Sequence, residues 1–344
     1  MNMKIAFFDT KQYDEQAFER FKNERNIEIK YYEPKLTIDT VELAHGFDGV
    51  CVFVNDNLNK EVINKLYEYG VKAIFLRCAG FNNVDTLACF GKIHVFRVPA
   101  YSPYAVAEHA MALYMTNNRR IHKAYNRTRE YNFSLNGLTG TDMYGKTVGV
   151  IGTGRIGKAF INICKGFGMN VLAYDAYPSG DYKYVSLDEI FQKSDIISLH
   201  CPLTPETKHL INSESIAKMK KGIDIINTSR GGLIDASALL KGIKDRKIGS
   251  ACLDVYEEEA ELFYEDKSGH IMNDQTLLEL IAMPNVIITS HQAFLTKEAL
   301  ENIADTTTEN IVKFFTNEGN IDNEVCYHCG NQNNCKKERK EKCF

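Results

Sequence analysis

Arg230 stands at a position where a cation could hold an anionic small molecule. It follows an apolar segment, residues 223–227, and precedes two glycines at 231 and 232. Such a segment predicts a parallel strand, and ligands bind beyond the carboxyl ends of the strands in open α/β sheets. A planar guanidinium at that place can grip a carboxylate through two hydrogen bonds. The strand-end position and the glycines favour this role over an ordinary surface ion pair.

A histidine and three glutamates follow two further predicted strands. His291 comes after the predicted strand 286–290, and the glutamates at 257–259 come after a strand that ends at Leu253. Imidazole titrates near neutrality and can transfer a proton reversibly, and a neighbouring carboxylate favours its protonated form. Position alone does not choose among the glutamates, and a solvated acidic loop is the alternative. The other histidines, His109 among them, have weaker settings and are interpreted as structural or surface residues.

The strongest single motif is Gly152-x-Gly154-x-x-Gly157, between the apolar residues 148–151 and a helix-forming segment. As a dinucleotide site, its first glycine permits a tight turn, the second lets the backbone approach a pyrophosphate, and the third lets the helix pack on the strand. Asp175 ends the next strand, 18 positions beyond the last glycine, where a carboxylate can hold a ribose 2′-hydroxyl. No Arg or Lys follows Asp175 at once, so NAD is favoured over NADP.

These residues supply the parts that hydride reduction of a 2-keto acid requires. The reaction needs a cation to orient the carboxylate, a proton donor for the developing alkoxide, and a group that tunes the donor. Arg230, His291 and one of the glutamates match these roles, and the glycine motif supplies the site for a nicotinamide cofactor.

The composition agrees with a small-molecule partner. The chain has 344 residues with 41 basic and 45 acidic side chains, and the formal charge of −4 gives no general field for nucleic acid or an anionic membrane. The first residues offer no secretory apolar region and no later apolar run approaches a membrane span, so a cytoplasmic protein is expected.

Short apolar strands alternate with amphipathic segments, which predicts an α/β protein with parallel, helix-covered sheets. A long helix predicted from residue 103 to about 129 interrupts the alternation. We predict two doubly wound domains with a cleft between them, a flavodoxin-like substrate domain and a Rossmann NAD-binding domain. A final helix, 297–316, is followed by no predicted strand and returns to the first domain. The predicted bounds are 1–100 plus 300–330, 101–299, and a Cys- and Lys-rich tail at 331–344.

The order and spacing of the motifs resemble the D-isomer-specific 2-hydroxy acid dehydrogenases, and within them the D-lactate dehydrogenase branch, over residues 3 to 325. The resemblance implies that Arg230 binds the substrate carboxylate, that His291 is the proton donor, and that Glu259, five positions after Asp254, is its acidic partner. The motifs that carry it are the glycine motif with Asp175, Arg230-Gly231-Gly232, Asp254-Val255-Tyr256-Glu257-x-Glu259 and Ser290-His291.

The resemblance implies further site residues. Ala79 and Gly80 are expected to offer backbone amides to the substrate carboxylate, Tyr101 to line the substrate site, and Phe294 to close over a small side chain. Ordinary hinge or core packing is the alternative for the two aromatic residues. The expected cofactor-binding residues are Gly152, Gly154, Arg155, Ile156, Gly157, Asp175, Cys201, Pro202, Thr207, Thr228, Ser229, Arg230 and Asp254.

The function that the resemblance implies is the reversible, NADH-dependent reduction of pyruvate to D-lactate by a homodimer that forms through the segment after Pro103. Closure of the two domains would exclude water from the reaction. One alternative is an (R)-2-hydroxyisocaproate-type enzyme that acts on a larger 2-keto acid. Another is an NAD-responsive binding protein without catalysis, which could dispense with the Arg-Glu-His set.

Four cysteines, at 326, 329, 335 and 343, crowd the carboxyl terminus among basic residues. One C-x-x-C pair with a nearby His328 is a possible zinc site. The second pair is not a C-x-x-C, so we interpret the segment as a charged tail with incidental thiols and expect no bound metal.

Overall fold

The computed structural model describes residues 3–259, 262–317 and 322–328. These residues fall into two compact units, one comprising the chain up to Ser102 and again from Thr296, the other comprising Pro103–Leu295. The predicted domain boundaries, 100/101 and 299/300, lie a few residues from these divisions. The predicted tail at 331–344 lies outside the described residues.

The first unit contains a parallel sheet of five strands in the order β2-β1-β3-β4-β5. Its central strands β3 and β4 are buried at every position, as expected for parallel strands covered on both faces by helices. The elements are β1 (Met3–Phe7), α1 (Gln12–Glu24), β2 (Ile27–Tyr31), β3 (Gly49–Val52), α2 (Lys60–Glu68), β4 (Ala73–Leu76), α3 (Thr86–Cys89) and β5 (His94–Phe96).

The second unit contains a parallel sheet of six strands in the order β11-β10-β9-β8-β6-β7. The chain order reverses beside β6, because β7 lies on one side of that strand and β8 on the other, and such a switch point is where doubly wound sheets bind ligands. The elements are α4 (Pro103–Asn118), α5 (Ile121–Arg129), β6 (Thr147–Ile151), α6 (Arg155–Gly166), β7 (Asn170–Tyr174), α7 (Leu187–Lys193), β8 (Ile196–Leu199), α8 (Ser213–Lys218), β9 (Ile223–Asn227), α9 (Ala236–Lys244), β10 (Ile248–Leu253), α10 (Gln275–Ala282) and β11 (Val286–Ile288).

The predicted fold class, two doubly wound parallel-sheet α/β domains, is confirmed by these two sheets. Strand register then fixes which polar residues share an edge. Leu253 of β10 pairs with Asn227 of β9 on one side and with Ile288 of β11 on the other. The residues that follow these three strands therefore begin at the same level on the carboxyl edge of the second sheet.

The single long helix predicted from 103 to about 129 is wrong, because the structure divides it into α4 and α5. The division lies at Arg120, whose backbone adopts a left-handed conformation with φ 54°. The Arg120 guanidinium donates hydrogen bonds to the Asn117 side chain and the Pro284 carbonyl, and Lys123 also donates to that carbonyl. These contacts override the helical pattern, which contains no Pro or Gly at the break.

Helix α11 (Lys297–Thr316) returns to the first unit, as the pattern predicts. Arg25, after α1, donates to the Asp305 carbonyl and to the Asp305 and Thr308 side chains. No strand follows α11 in the part of the chain that the structure describes, as expected, but one short contact with the sheet does. Glu324 forms an antiparallel bridge with Phe96, and the amide of Val325 donates to the Val95 carbonyl. β5 is an edge strand of the first sheet, and this bridge pairs with its outer edge.

None of the described helices combines the length and the apolar character that crossing a bilayer requires.

Candidate active site

The glycine motif forms a tight turn between β6 and α6. Gly152 has φ 96°, and a Cβ on it would lie 2.5 Å from the carbonyl carbon of His200. A Cβ on Gly157 would lie 1.9 Å from the carbonyl oxygen of Gly152, so helix and strand can approach this closely only at a glycine. A Cβ on Gly154 would meet nothing within 4 Å. The turn is closed against the sheet and open at the position predicted to face a pyrophosphate.

The start of α6 adds free donors at the same place. Its N-cap residue is Gly154, and no side chain caps the first amides of the helix, which belong to Arg155, Ile156 and Gly157. Uncapped amides at a helix amino terminus attract phosphate through their hydrogen bonds and the helix dipole. These features fit a dinucleotide.

Asp175 lies one residue beyond β7 and faces the glycine turn. Its Oδ2 accepts hydrogen bonds from the amide and hydroxyl of Thr153, at 2.6 and 3.0 Å, and its Oδ1 accepts from the Tyr177 amide at 2.9 Å. Burial raises the pKa of Asp175, but these hydrogen bonds outweigh burial and hold the pKa below its ordinary value. The group is therefore an anion beside the turn, which suits a ribose hydroxyl and repels a phosphate.

The remaining predicted cofactor residues line the neighbouring loops of the second unit. Cys201 is buried, and its carbonyl accepts a hydrogen bond of 2.7 Å from the Ser229 hydroxyl. The Thr207 hydroxyl donates to the Pro202 carbonyl at 2.7 Å. Thr228 is buried, and its hydroxyl has no hydrogen-bond partner within the described parts of the chain. Their contact with a cofactor stays a prediction.

His291 and Glu259 are in direct contact. Nδ1 of His291 lies 2.7 Å from Oε1 of Glu259, while Oε2 of Glu259 accepts a hydrogen bond of 2.7 Å from the Tyr256 amide. The side chains of the pair are 20% and 21% exposed. Because Glu259 engages Nδ1, the nitrogen left for proton exchange is Nε2, which has no hydrogen-bond partner among residues 3–259, 262–317 and 322–328. Of the three glutamates at 257–259, Glu259 is the one that the structure joins to the histidine.

Arg230 follows β9 on the same sheet edge. One guanidinium nitrogen donates to the Ser229 carbonyl at 2.7 Å, and the Asn227 side chain donates to the Arg230 carbonyl at 2.9 Å. No carboxylate of the described residues forms an ion pair with Arg230. Since a guanidinium carries five N–H donors, most of its capacity is left for an anionic ligand.

The predicted substrate residues of the first unit lie in the turn after β4. The carbonyls of this turn are engaged: the Ala79 carbonyl accepts from Arg97 at 2.8 Å, and the Gly80 carbonyl accepts from the Cys78 thiol at 3.2 Å. Neither the Ala79 nor the Gly80 amide donates to any residue that the structure describes. Two free adjacent amides are what a carboxylate ligand requires. Tyr101 lies in the same unit, and its carbonyl accepts from Asn302 at 2.8 Å.

Asp254 was predicted to contact the cofactor, yet its carboxylate is turned into the protein. It is fully buried and accepts hydrogen bonds from the Thr289 hydroxyl and from the amides of residues 292–293. Burial raises its pKa, but the hydrogen bonds from His109, Thr289 and these amides outweigh burial and lower it. The buried carboxylate is thus an anion that anchors the loop bearing His291, and its contact with cofactor stays a prediction.

Two residues near this loop were missed by sequence reasoning. His109, on α4, lies 3.2 Å from the Thr289 hydroxyl and 3.3 Å from the Asp254 carboxylate. The Tyr264 hydroxyl donates to the His291 carbonyl at 3.0 Å. A histidine inside an apolar helix and a tyrosine in an irregular loop carry no pattern that points to the strand ends. His109 was expected to be a structural or surface residue, and the structure adds that it lies beside the loop that bears His291.

The backbone of His291 is itself unusual. Its φ is 54°, in the left-handed region that costs most residues about 1–2 kcal/mol. The conformation is held by a hydrogen bond of 2.7 Å from the His291 amide to the Asp254 carbonyl. A strained backbone that its surroundings hold firmly is typical of functional sites.

Comparison with known proteins gives one consistent family. The model described as D-isomer specific 2-hydroxyacid dehydrogenase, NAD binding domain, matches residues 111–293. A 2-hydroxyacid dehydrogenase homolog of Haemophilus influenzae is 54% identical, over 90% of this chain and 96% of its own. A D-lactate dehydrogenase of Escherichia coli is 52% identical over the same shares. The apo-structure of D-lactate dehydrogenase from Escherichia coli superposes with a TM-score of 0.86, 48% identity, and coverage of 94% of this chain and all of that one.

These matches confirm the resemblance found in the motifs and the choice of NAD as cofactor. The family model spans more than half of the chain, and the two relatives span about 90% of it. Arg230, Glu259 and His291 lie inside the range that the family model matches. The chain is a member of the D-isomer-specific 2-hydroxyacid dehydrogenases, enzymes with an NAD-binding domain.

Proposed function

We propose that this dehydrogenase reduces pyruvate to D-lactate and catalyses the reverse reaction. The observation that carries the chemistry is the contact of 2.7 Å between His291 and Glu259, on the sheet edge that also bears Arg230. The choice of pyruvate is supported by the Escherichia coli relative, which is named a D-lactate dehydrogenase.

Each residue has a distinct task in this proposal. Arg230 and the amides of Ala79 and Gly80 bind the carboxylate of the keto acid and so orient its carbonyl group. The glycine turn and Asp175 would hold NADH, which when bound would supply the hydride for C2. Nε2 of His291 holds the proton that the carbonyl oxygen takes as its bond to carbon loses double-bond character. Glu259 holds Nδ1, which fixes the orientation of the ring and aims Nε2 at the substrate.

Two aromatic side chains support a small substrate. Tyr101 follows the last strand of the first unit, and Phe294 is buried three residues beyond His291. We propose that both side chains limit the space for the group attached to C2 of the keto acid, so that the methyl group of pyruvate fits better than a branched or aromatic group. A pocket of fixed volume discriminates against larger groups by steric overlap.

An initial-rate panel tests the proposed function. Pyruvate, phenylpyruvate and 2-ketoisocaproate are each assayed with NADH and with NADPH. We expect the highest kcat/KM with pyruvate, and a preference for NADH of about 100-fold because Asp175 repels a 2′-phosphate. A higher value for 2-ketoisocaproate would identify an enzyme for larger keto acids, whereas NADH binding without turnover on any substrate would favour a non-enzymatic role.

We also propose that the protein is a homodimer that uses the segment from α5 to β6. This segment exposes large apolar side chains to an extent that is uncommon on a monomer surface. They are Ile121, Tyr125, Tyr131, Phe133, Leu135 and Tyr144, which are 52% to 85% exposed.

Sedimentation velocity tests the dimer. We expect the unaltered chain to sediment as a dimer and the double variant Tyr131→Glu, Phe133→Glu to sediment as a monomer at micromolar concentration, because charged side chains are costly at an apolar interface. Tyr67→Glu is the matched control, since Tyr67 is 52% exposed on α2 of the first unit. A monomeric unaltered chain, or a double variant that stays dimeric, would contradict the proposal.

A cytoplasmic location is a further part of the proposal. Cys51, Cys89, Cys164, Cys201 and Cys252 are buried thiols that form no disulfide with any residue the structure describes, a usage typical of reducing compartments. Fractionation of cells that produce the protein, with recovery in the cytosolic fraction expected, tests it, and recovery in an oxidising compartment would contradict it.

A further inference from the structure

The side chain of His109, on helix α4, contacts residues that hold the loop bearing the proposed proton donor. Its Nε2 lies between two acceptors of that loop region, 3.2 Å from the Thr289 hydroxyl and 3.3 Å from the Asp254 carboxylate. The His109 side chain is 19% exposed, and Asp254 is fully buried. His109 therefore contacts the residues that flank the loop, and among the described residues it makes no hydrogen bond with His291 itself.

Asp254 connects His109 to His291. The Asp254 carboxylate accepts from the amides of Gln292 and Ala293, at 2.9 and 2.8 Å, and the Asp254 carbonyl accepts from the His291 amide at 2.7 Å. One residue thus holds three consecutive amides of the loop. A rotation of the Asp254 side chain would release two of them and change the direction in which the His291 ring leaves the backbone.

A buried carboxylate keeps one orientation only when its hydrogen-bond capacity is filled from several directions. The Thr289 hydroxyl and the loop amides approach Asp254 from the loop itself, whereas His109 approaches from a helix that the loop does not include. Donors that belong to the same loop move with it and cannot fix it in place. The helix donor fixes the carboxylate relative to the sheet and helix scaffold.

We propose that His109 is a positioning residue for catalysis, which holds Asp254 and through it aims the His291 ring at the substrate carbonyl. The proposal rests on the proposed role of His291 as proton donor. It assigns to the Nε2–H of His109 a hydrogen bond to the Asp254 carboxylate, shared with the Thr289 hydroxyl. No contact of His109 with substrate or cofactor is part of it.

Two substitutions of similar polarity separate this role from a general packing role. In His109→Gln the side-chain nitrogen reaches the place of Nε2, whereas in His109→Asn it reaches only the place of Nδ1. We expect kcat to fall by about 10-fold or more in the Asn variant and to stay within about 3-fold in the Gln variant, since a hydrogen bond to a charged group is lost only in the former. KM for pyruvate and the Kd of NADH should change less than about 3-fold in both.

The control is Glu108→Gln, an exposed neighbour on the same helix, for which no change in kcat is expected. The kinetic isotope effect with deuterated NADH should rise in the Asn variant, because a misaligned His291 slows the hydride-transfer step and makes it more rate-limiting. Thermal unfolding of all variants shows whether the fold is kept. Equal kcat in the Asn and Gln variants, whether normal or lowered, would overturn the proposal, and so would a loss confined to NADH affinity.

Parallel assays of the unaltered enzyme and of His291→Asn keep this outcome separate from that of the proposed function. If the unaltered enzyme reduces a 2-keto acid and the His291 variant does not, the proton-donor role stands whatever the His109 variants do. If the His291 variant is fully active, the proposed function fails first and the role of His109 fails with it.

Discussion

Replacing His291 by Asn should lower kcat for pyruvate reduction by about 1,000-fold, because a positioned general acid contributes about 100- to 10,000-fold. Asn is the sharper substitution at this position, since its side chain tolerates the left-handed backbone, φ 54°, that the loop imposes. The amide group cannot donate and recover a proton as imidazole does. Ala should give a similar loss of kcat with some additional loss of stability.

Binding measurements separate catalysis from cofactor affinity in this variant. The Kd of NADH, followed by its fluorescence, should stay within about 2-fold of the unaltered value, because the glycine turn and Asp175 lie at β6 and β7 rather than at β11. The kcat of Glu259→Gln should lie between that of the unaltered enzyme and that of His291→Asn, since the amide can still hold the imidazole ring but carries no charge. Turnover near normal in His291→Asn would remove His291 from the role of proton donor.

The sequence supports the prediction of the strand ends because their pattern is local. Apolar runs followed by Arg230, Asp254 or His291 predict parallel strands, and parallel strands bring their carboxyl ends to one edge. The register between Asn227, Leu253 and Ile288 is what the structure adds. The glycine motif was predictable for the same reason, since its three glycines and the strand and helix that flank them lie in one short segment of the chain.

The features that sequence reasoning missed depend on contacts far apart in the chain. His109 and Asp254 are 145 positions apart and meet only because α4 packs beside β10. The break at Arg120 arises from the Pro284 carbonyl, and nothing in residues 117–123 marks it. Among the three glutamates, the one that pairs with His291 was indicated by family spacing and not by its own neighbours. The local sequence pattern therefore indicates that the site lies at the carboxyl edge of the second sheet, whereas tertiary contacts determine which side chains contact one another there.

Replacing Arg230 by Gln should lower kcat/KM for pyruvate by about 100- to 1,000-fold, since removal of one partner of a desolvated, hydrogen-bonded charge pair costs that much. Arg230 forms no ion pair with the described part of the chain, so its charge is available to the substrate carboxylate. Lys should recover little of the loss, because an ammonium group lacks the planar fork that binds a carboxylate through two bonds. The Kd of NADH should change much less than kcat/KM, because the glycine turn and Asp175 are expected to hold most of the cofactor.

A neutral substrate analogue tests directly whether Arg230 recognises the negative charge of the substrate. Methyl pyruvate keeps the keto group and lacks the negative charge, so the unaltered enzyme should prefer pyruvate to it by about 100-fold or more. In Arg230→Gln this preference should shrink to within about 5-fold, because the positive charge is gone and the amides of Ala79 and Gly80, which remain, are neutral. Arg20→Gln, an exposed substitution on α1, is the control and should leave both rates unchanged. If Arg230→Gln kept the full preference for pyruvate, the carboxylate would have to be bound elsewhere, and the free amides of Ala79 and Gly80 would then be the groups to replace next.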